Sequence, residues 1–297
     1  MEIEISTMSI LEFIMLISIA IIGFTGNAVI IFLFAYGGSR VRILRNFLIV
    51  SLSFADLVIA GILVPFWIAL RRDYQINKAT WRFYTAFDVM FGTASILNLT
   101  AISLERLHAI KSPLRHLTLT ETPYFVAIIV SWTIGTALFF VKYLYDLHRP
   151  NMDTYFLVFT LLLFITVYLI PILIIILAYT FIFYYANYKK KHVRQSSILE
   201  RKNFKRELKA AKTIALVVGL FILCWTPFFV VNLIYIFIYL RYKKHTLSHL
   251  EDWFYASKVL HYGNSIMNVI IYGFRSRDFR RLIRFIINKL TKKNNNV

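Results

Sequence analysis

Residues 82–110 read RFYTAFDVMFGTASILNLTAISLERLHAI, an apolar stretch with Asp88 near one end and Glu105-Arg106 near the other. A charge at bilayer depth costs about 2.5–3.5 kcal/mol on insertion scales, so charged side chains there turn toward the interior of a helix bundle. Asp88 and Arg106 are separated by about five turns at ~3.6 residues per turn, which puts both on one face. At ~1.5 Å per residue they stand roughly 27 Å apart along that face. One helix therefore carries an acid and a base on one buried side, at opposite depths.

Outward from this stretch, further apolar runs cover 10–36, 46–70, 124–145, 155–188, 210–240 and 253–274. With 82–110 these make seven, each near the ~20 residues that span hydrocarbon as a helix. Hydrophobic residues form 59% of the 297-residue chain, and its mean hydropathy is +0.64. Both are too high for an ordinary soluble domain. The fold class predicted is an all-α membrane protein, a single seven-helix domain over 1–297. The N-terminus carries Glu2 and Glu4 and lacks a basic n-region, so the first run reads as a retained span and not a signal peptide. No pair of matching halves with Gly-broken spans appears, which weighs against a secondary transporter.

The net charge of +19 raises nucleic acid as a partner, but the distribution speaks for a membrane. Basic residues gather in 40–45, 111–115, 189–212 and 275–293, which share one side if seven spans alternate. Fewer stand in 71–82, 142–149 and 241–244. The positive-inside rule then places the N-terminus outside and the C-terminus in the cytosol, with the basic face against anionic lipid. Nucleic acid is not expected. After Phe274, residues Phe279, Leu282, Ile283 and Ile286 share one face of an amphipathic helix predicted over 276–290, lying along the inner leaflet. The one cysteine, Cys224, lies within the sixth run, so no intramolecular disulfide can tie the outer loops. Asn98-Leu99-Thr100 matches a glycosylation acceptor but is inside a span.

The sixth run contains Phe221-Ile-Leu-Cys-Trp225-Thr-Pro227-Phe228-Phe229-Val-Val-Asn232. Pro227 removes a backbone hydrogen bond and predicts a kink. The aromatic residues around it are either a packed stripe or the wall of a hinge. Glu207 precedes Trp225 by about five turns. If Trp225 and Asp88 face one cavity, Glu207 and Arg106 approach each other at the inner ends and form a latch.

These residues together resemble the rhodopsin-like (class A) G-protein-coupled receptors. The resemblance rests on Gly26-Asn27, Leu52-Ser53-Phe54-Ala55-Asp56, Glu105-Arg106-Leu107, Trp132, Pro171 with Tyr179, Cys224-Trp225-Thr226-Pro227 and Asn268-Val269-Ile270-Ile271-Tyr272, in order along the chain. Within that family, Asp88-Val89, Thr93-Ala94-Ser95-Ile96, Phe228-Phe229-Val230-Val231-Asn232 and Tyr262-Gly263-Asn264-Ser265 are most similar to biogenic-amine receptors. The resemblance implies a non-enzymatic receptor that binds a small extracellular ligand, an amine, and activates a heterotrimeric G protein. Asp88 would pair with the ligand ammonium and Tyr262 would hydrogen-bond Asp88. Thr93, Trp225, Phe228, Phe229, Asn232 and Lys258 would line the same site. Glu105, Arg106, Tyr179, Glu207, Phe221, Pro227, Asn268 and Tyr272 would form the activation switch and the coupling end. Asp56, Ser95, Asn264, Ser265 and Asn268 resemble the family's sodium-binding cluster. A water-filled polar network is the alternative, and no other cofactor is implied.

The chain also departs from the pattern. Trp81 stands where a cysteine usually tethers the outer loop, Leu107 where a Tyr usually follows Glu-Arg, and Val269 where a Pro usually follows Asn268. Leu163, Phe164 and Val167 replace the serines of catecholamine receptors, and Tyr262 replaces the retinal lysine of opsins. Lys258, one turn before Tyr262, either pairs with Asp88 or leaves it open to an amine. Two further readings remain: a class A receptor for a nucleoside, peptide or lipid, and a transporter or channel.

Overall fold

A computed structural model of the protein describes residues 8–36, 44–72, 77–148, 153–193, 198–242 and 248–275. The amphipathic helix predicted over 276–290 lies outside the described residues, as do the side chains of Glu207, Asn268 and Tyr272. Among the described residues the regular structure is helical throughout. The long helices, taken in order, are Ile10–Tyr36, Leu44–Arg71, Lys78–Lys111, Thr122–His148, Asp153–Val193, Ile198–Tyr242 and Ser248–Arg275. A short helix, Pro113–Leu117, follows the third. The third helix starts on a side-chain cap, where Asn77 Oδ1 accepts from the Thr80 amide at 2.8 Å.

Two helices are interrupted by π-helical turns, Ile59–Leu63 in the second and Phe164–Leu169 in the fifth. Each lies just before a proline, Pro65 and Pro171. A proline donates no N–H to the carbonyl four residues back and its ring crowds that carbonyl, so the upstream turn widens. The widened turn inserts a residue and rotates what precedes it, which re-aims the side chains of that segment. Pro227, by contrast, sits inside a continuous helix of 45 residues.

The third helix packs against the second, fourth, fifth and sixth, and the seventh against the sixth and first. Close approach is built from small residues. A Cβ on Gly135 would stand 2.8 Å from the Met90 carbonyl oxygen, and one on Gly23 2.8 Å from the Ala60 Cβ. The core divides into two clusters. One joins Ile96, Leu99 and Ile102 to Ile175, Tyr179, Phe221 and Trp225. The other joins Leu16 and Ile19 to Val64, Trp67, Tyr84, Tyr255 and Tyr262. Large apolar side chains such as Ile129, Leu173, Leu177, Leu223 and Phe237 face outward. That belt is the surface of a protein whose solvent is lipid.

Six of the described helices are long and apolar enough to cross a membrane. The sequence predicts seven such runs, and the last, in Ser248–Arg275, falls short on composition. The reason is its inner face: Ser257, Lys258, His261, Asn264 and Ser265 are all buried against the bundle. This helix turns much of its polarity inward, while Trp253 and Leu260 face outward.

Candidate functional site

Asp88 stands about three turns into the third helix, and the seventh helix places Lys258 opposite it. Lys258 Nζ donates to Asp88 Oδ2 at 2.5 Å, with the lysine side chain 5% and the aspartate side chain 13% exposed. Of the two alternatives for Lys258, the structure takes the paired one. The ammonium also lies 4.7 Å from the Phe228 ring centroid, 4.9 Å from Tyr262 and 5.8 Å from Trp67. A cation thus sits in a cage of three rings with one carboxylate, the environment that stabilises an ammonium away from water.

The floor of this cage is aromatic. Below Lys258, one turn along, His261 packs against Trp225 at 4.1 Å and Phe228 at 4.6 Å between centroids. Trp225 reaches the third helix because residue 92 is glycine; a Cβ there would lie 2.9 Å from the indole Cη2. Phe221, 1% exposed, tilts against Trp225 at 5.8 Å. Phe229 turns away from Lys258 toward the fifth helix, where it stacks on Tyr168 at 4.5 Å. Tyr168 belongs to the π-helical turn and bonds through its hydroxyl to Thr226, next to Pro227. The π-turn therefore aims a tyrosine at the proline of the sixth helix. Asn232 donates to the Phe228 carbonyl at 2.6 Å, using its amide on its own helix.

Tyr262 is fully buried and joins its hydroxyl to that of Tyr84, one turn above Asp88 on the third helix. Thr93 is buried too, but five residues beyond Asp88 it is turned by about 140° from it, at ~100° per residue. Among the described residues four buried polar atoms of this region have no hydrogen-bond partner: the Trp67 and Trp225 indole nitrogens and both ring nitrogens of His261. Buried polar groups are ordinarily paired, so these are free to serve a guest.

Deeper in the bundle, Ser95 Oγ donates to Asp56 Oδ1 at 3.2 Å, with both residues at most 1% exposed. Asn264 and Ser265 are buried on the seventh helix; Ser265 Oγ donates to the Tyr262 carbonyl and its own carbonyl accepts from Asn27 Nδ2 at 3.0 Å. Carboxylate and hydroxyl oxygens are hard donors and suit a hard monovalent cation. The fifth residue of that set, Asn268, has its side chain outside the described residues.

At the opposite end, Glu105 holds Arg106 with both carboxylate oxygens and also meets His116 Nε2 at 3.3 Å. Arg106 is 3% exposed. The predicted Arg106–Glu207 latch falls on a side chain outside the described residues. Tyr179 is buried in the core of the fifth helix.

The outer end has a fastening that sequence reading missed. Arg71 of the second helix pairs with Glu12 of the first at 3.2 Å and lies over the Tyr255 ring of the seventh at 3.4 Å. Trp81, in place of a cysteine, packs against Tyr84 at 5.6 Å. Trp67, Tyr84 and His261 were also overlooked as site residues. The signal for two of them was there: Tyr84 lies one turn from Asp88, and His261 shares the helical face of Lys258, Tyr262 and Ser265.

The sequence profile described as "7 transmembrane receptor (rhodopsin family)" matches residues 26–272. The chain is similar to the histamine H2 receptor of Canis lupus familiaris, 32% identical over 257 residues, covering 81% of this chain and 69% of that receptor. It is similar to a D(5)-like dopamine receptor of Takifugu rubripes, 30% identical, covering 82% of this chain and 59% of that receptor. It is also similar to the adenosine receptor A2b of Gallus gallus, 28% identical, covering 97% of this chain and 91% of that one.

Proposed function

Because the chain belongs to the rhodopsin family of seven-transmembrane receptors, we propose that it is a G-protein-coupled receptor of the plasma membrane whose ligand is a small amine. Its termini lie outside (N) and in the cytosol (C). Membership of this family sets aside the transporter or channel reading, and receptors of the family are not enzymes. The observation that carries the amine is the cage itself: Asp88, Phe228, Tyr262 and Trp67 already hold an ammonium, that of Lys258. A site whose charge, rings and depth stabilise one alkylammonium will stabilise another in the same place. Two of the relatives named above are amine receptors by name, which supports the reading.

Ligand entry at the cage reaches the inner end through the third and sixth helices. Trp225 rests on Gly92 of the third helix, and Pro227 with Thr226 and Tyr168 joins the sixth helix to the fifth. A ligand shifts the receptor only by its difference in affinity for the two states, so contact with Trp225 is where that difference arises. Arg106 and the basic residues near it then meet the G protein. Glu207, placed by the sequence about five turns before Trp225, serves in this proposal as Arg106's partner across the inner ends. Asp56 and Ser95, with Asn264, Ser265 and Asn268, would hold a sodium ion, which supplies positive charge beside the buried carboxylate.

The test is a G-protein nucleotide-exchange assay against biogenic amines with Asp88→Asn beside wild type. Removing one partner of a buried ion pair costs about 3–5 kcal/mol. An amine agonist should therefore lose potency by hundreds-fold or more in Asp88→Asn. Unchanged potency would instead favour a neutral ligand such as a nucleoside. That second reading is supported by the adenosine receptor relative and by a Lys258 that leaves Asp88 no vacancy.

A further inference from the structure

We propose that the ligand amine is accompanied by an acidic group, so that this receptor takes a zwitterion of the α-amino-acid type. The inference rests on the amine reading and narrows it. Among the described residues, Asp88 is the hydrogen-bond partner of the Lys258 ammonium, and Lys258 is 4% exposed. A simple amine that claims Asp88 evicts that ammonium into a ring-lined interior where, among the described residues, Asp88 is the one carboxylate paired with it. The site would then hold two cations against one anion, in surroundings where each uncompensated charge is costly. A neutral ligand avoids this by leaving the pair alone, but gains nothing from the cage. A zwitterion exchanges partners instead: its ammonium goes to Asp88, its carboxylate to Lys258, and the net charge of the site stays at zero. Both charges of the protein remain paired and hydrogen-bonded, which is the condition for burying them.

A second observation concerns what the rest of the ligand carries. His261 is 3% exposed, lies one turn beyond Lys258 against Trp225 and Phe228, and has neither ring nitrogen hydrogen-bonded among the described residues. Trp225 Nε1 is likewise without a partner. Together they offer a donor or acceptor beside two aromatic faces, below the charged end of the site. That combination fits a side chain that is a flat ring with a polar atom. The ligand class is an aromatic or heteroaromatic amino acid, or a close mimic of one.

The experiment uses the full-length receptor in cells, reading G-protein activation at matched surface expression. The probes are three matched series: histidine, histamine and N-acetylhistidine; tyrosine, tyramine and N-acetyltyrosine; tryptophan, tryptamine and N-acetyltryptophan. On wild type, one free amino acid should be more potent than its own decarboxylated amine by tenfold or more, and its N-acetyl form should be inactive. Lys258→Met keeps the bulk and removes the charge, and should reverse the preference by weakening the amino acid tenfold and strengthening the amine. Lys258→Arg should keep the wild-type preference. The double change Asp88→Asn with Lys258→Met, uncharged and able to pack, should respond to neither beyond its basal level. An amine more potent than its amino acid on wild type would overturn the zwitterion while leaving the amine reading intact. So would a Lys258→Met receptor that weakens both alike. Silence of every probe on wild type and on Lys258→Met, with both at the surface, overturns the amine reading and this inference together.

Discussion

At the scale of single residues the same substitution should act with opposite signs at two glycines of the bundle. Gly219 has open space where a Cβ would go, whereas at Gly92 the added carbon would stand 2.9 Å from the Trp225 ring. In a helix, Gly→Ala gains about 0.5–1 kcal/mol from backbone entropy alone. Gly219→Ala should therefore raise the melting temperature of the detergent-solubilised receptor slightly. Gly92→Ala must move an indole packed on Phe221 and His261, and overpacking costs about 1–3 kcal/mol. It should lower the melting temperature and change tryptophan fluorescence, and a stabilised Gly92→Ala would mean that the indole has room to give. In the sequence Asp88, Trp225 and Phe228 stand out as charge and aromatic residues inside apolar runs, and the family resemblance adds Tyr262 beside Asp88. It left Lys258 undecided, since spacing fixes a face but not a rotamer. His261 and Trp67 stayed hidden because an uncharged histidine or a tryptophan in such a run reads equally as packing.

Between elements, the fifth and sixth helices meet through Tyr168, which no heptad or helical-wheel argument would have placed there. Tyr168 lies within the widened turn at Phe164–Leu169, and from there it reaches Thr226 and Phe229. A sequence shows Pro171 but not whether the helix answers with a kink or with a π-turn, so the register of Leu163, Phe164 and Val167 was not legible either. Tyr168→Phe removes one hydrogen bond while Thr226 keeps its bond to the Ile222 carbonyl, so it should cost about 0.5–1.5 kcal/mol. Pro171→Ala restores an N–H and lets the turn close, which moves Tyr168 off its partners and should cost at least as much. If the π-turn is what aims Tyr168, the two changes share one effect, and the double variant will be less destabilised than the sum of the singles. Additive losses in melting temperature would show that Pro171 and Tyr168 act separately.

Over the whole molecule, the fastenings among the described residues differ in kind between the two ends. The outer end is tied across helices by Arg71–Glu12 beneath Tyr255, by Asp88–Lys258 and by Tyr84–Tyr262. These stand in for the disulfide that a chain with one cysteine cannot form, and Cys224 is buried. Arg71→Met leaves Glu12 unpaired in a buried place and should cost about 3–5 kcal/mol, whereas Arg71→Met with Glu12→Gln should recover much of that. Melting temperature in detergent reads both, and a reductant should leave it unchanged. At the inner end the ion pair of Arg106 is with Glu105, its own neighbour on the third helix, and His116 joins from just beyond that helix. That contact restrains the arginine without tying one long helix to another. For Arg106 to reach a partner in the coupling state, it must first let go of Glu105. Glu105→Gln weakens that hold and leaves the ligand site untouched, so it favours the state in which Arg106 reaches the G protein. Basal nucleotide exchange should rise, by about tenfold for each 1.4 kcal/mol of hold removed, up to the point where the active state dominates. Agonist affinity should rise with it, because a larger share of receptors already has the competent form. Higher basal exchange with unchanged agonist affinity would place Glu105 in the G-protein contact itself, and no rise in either would show that Arg106 is restrained by something other than its neighbour.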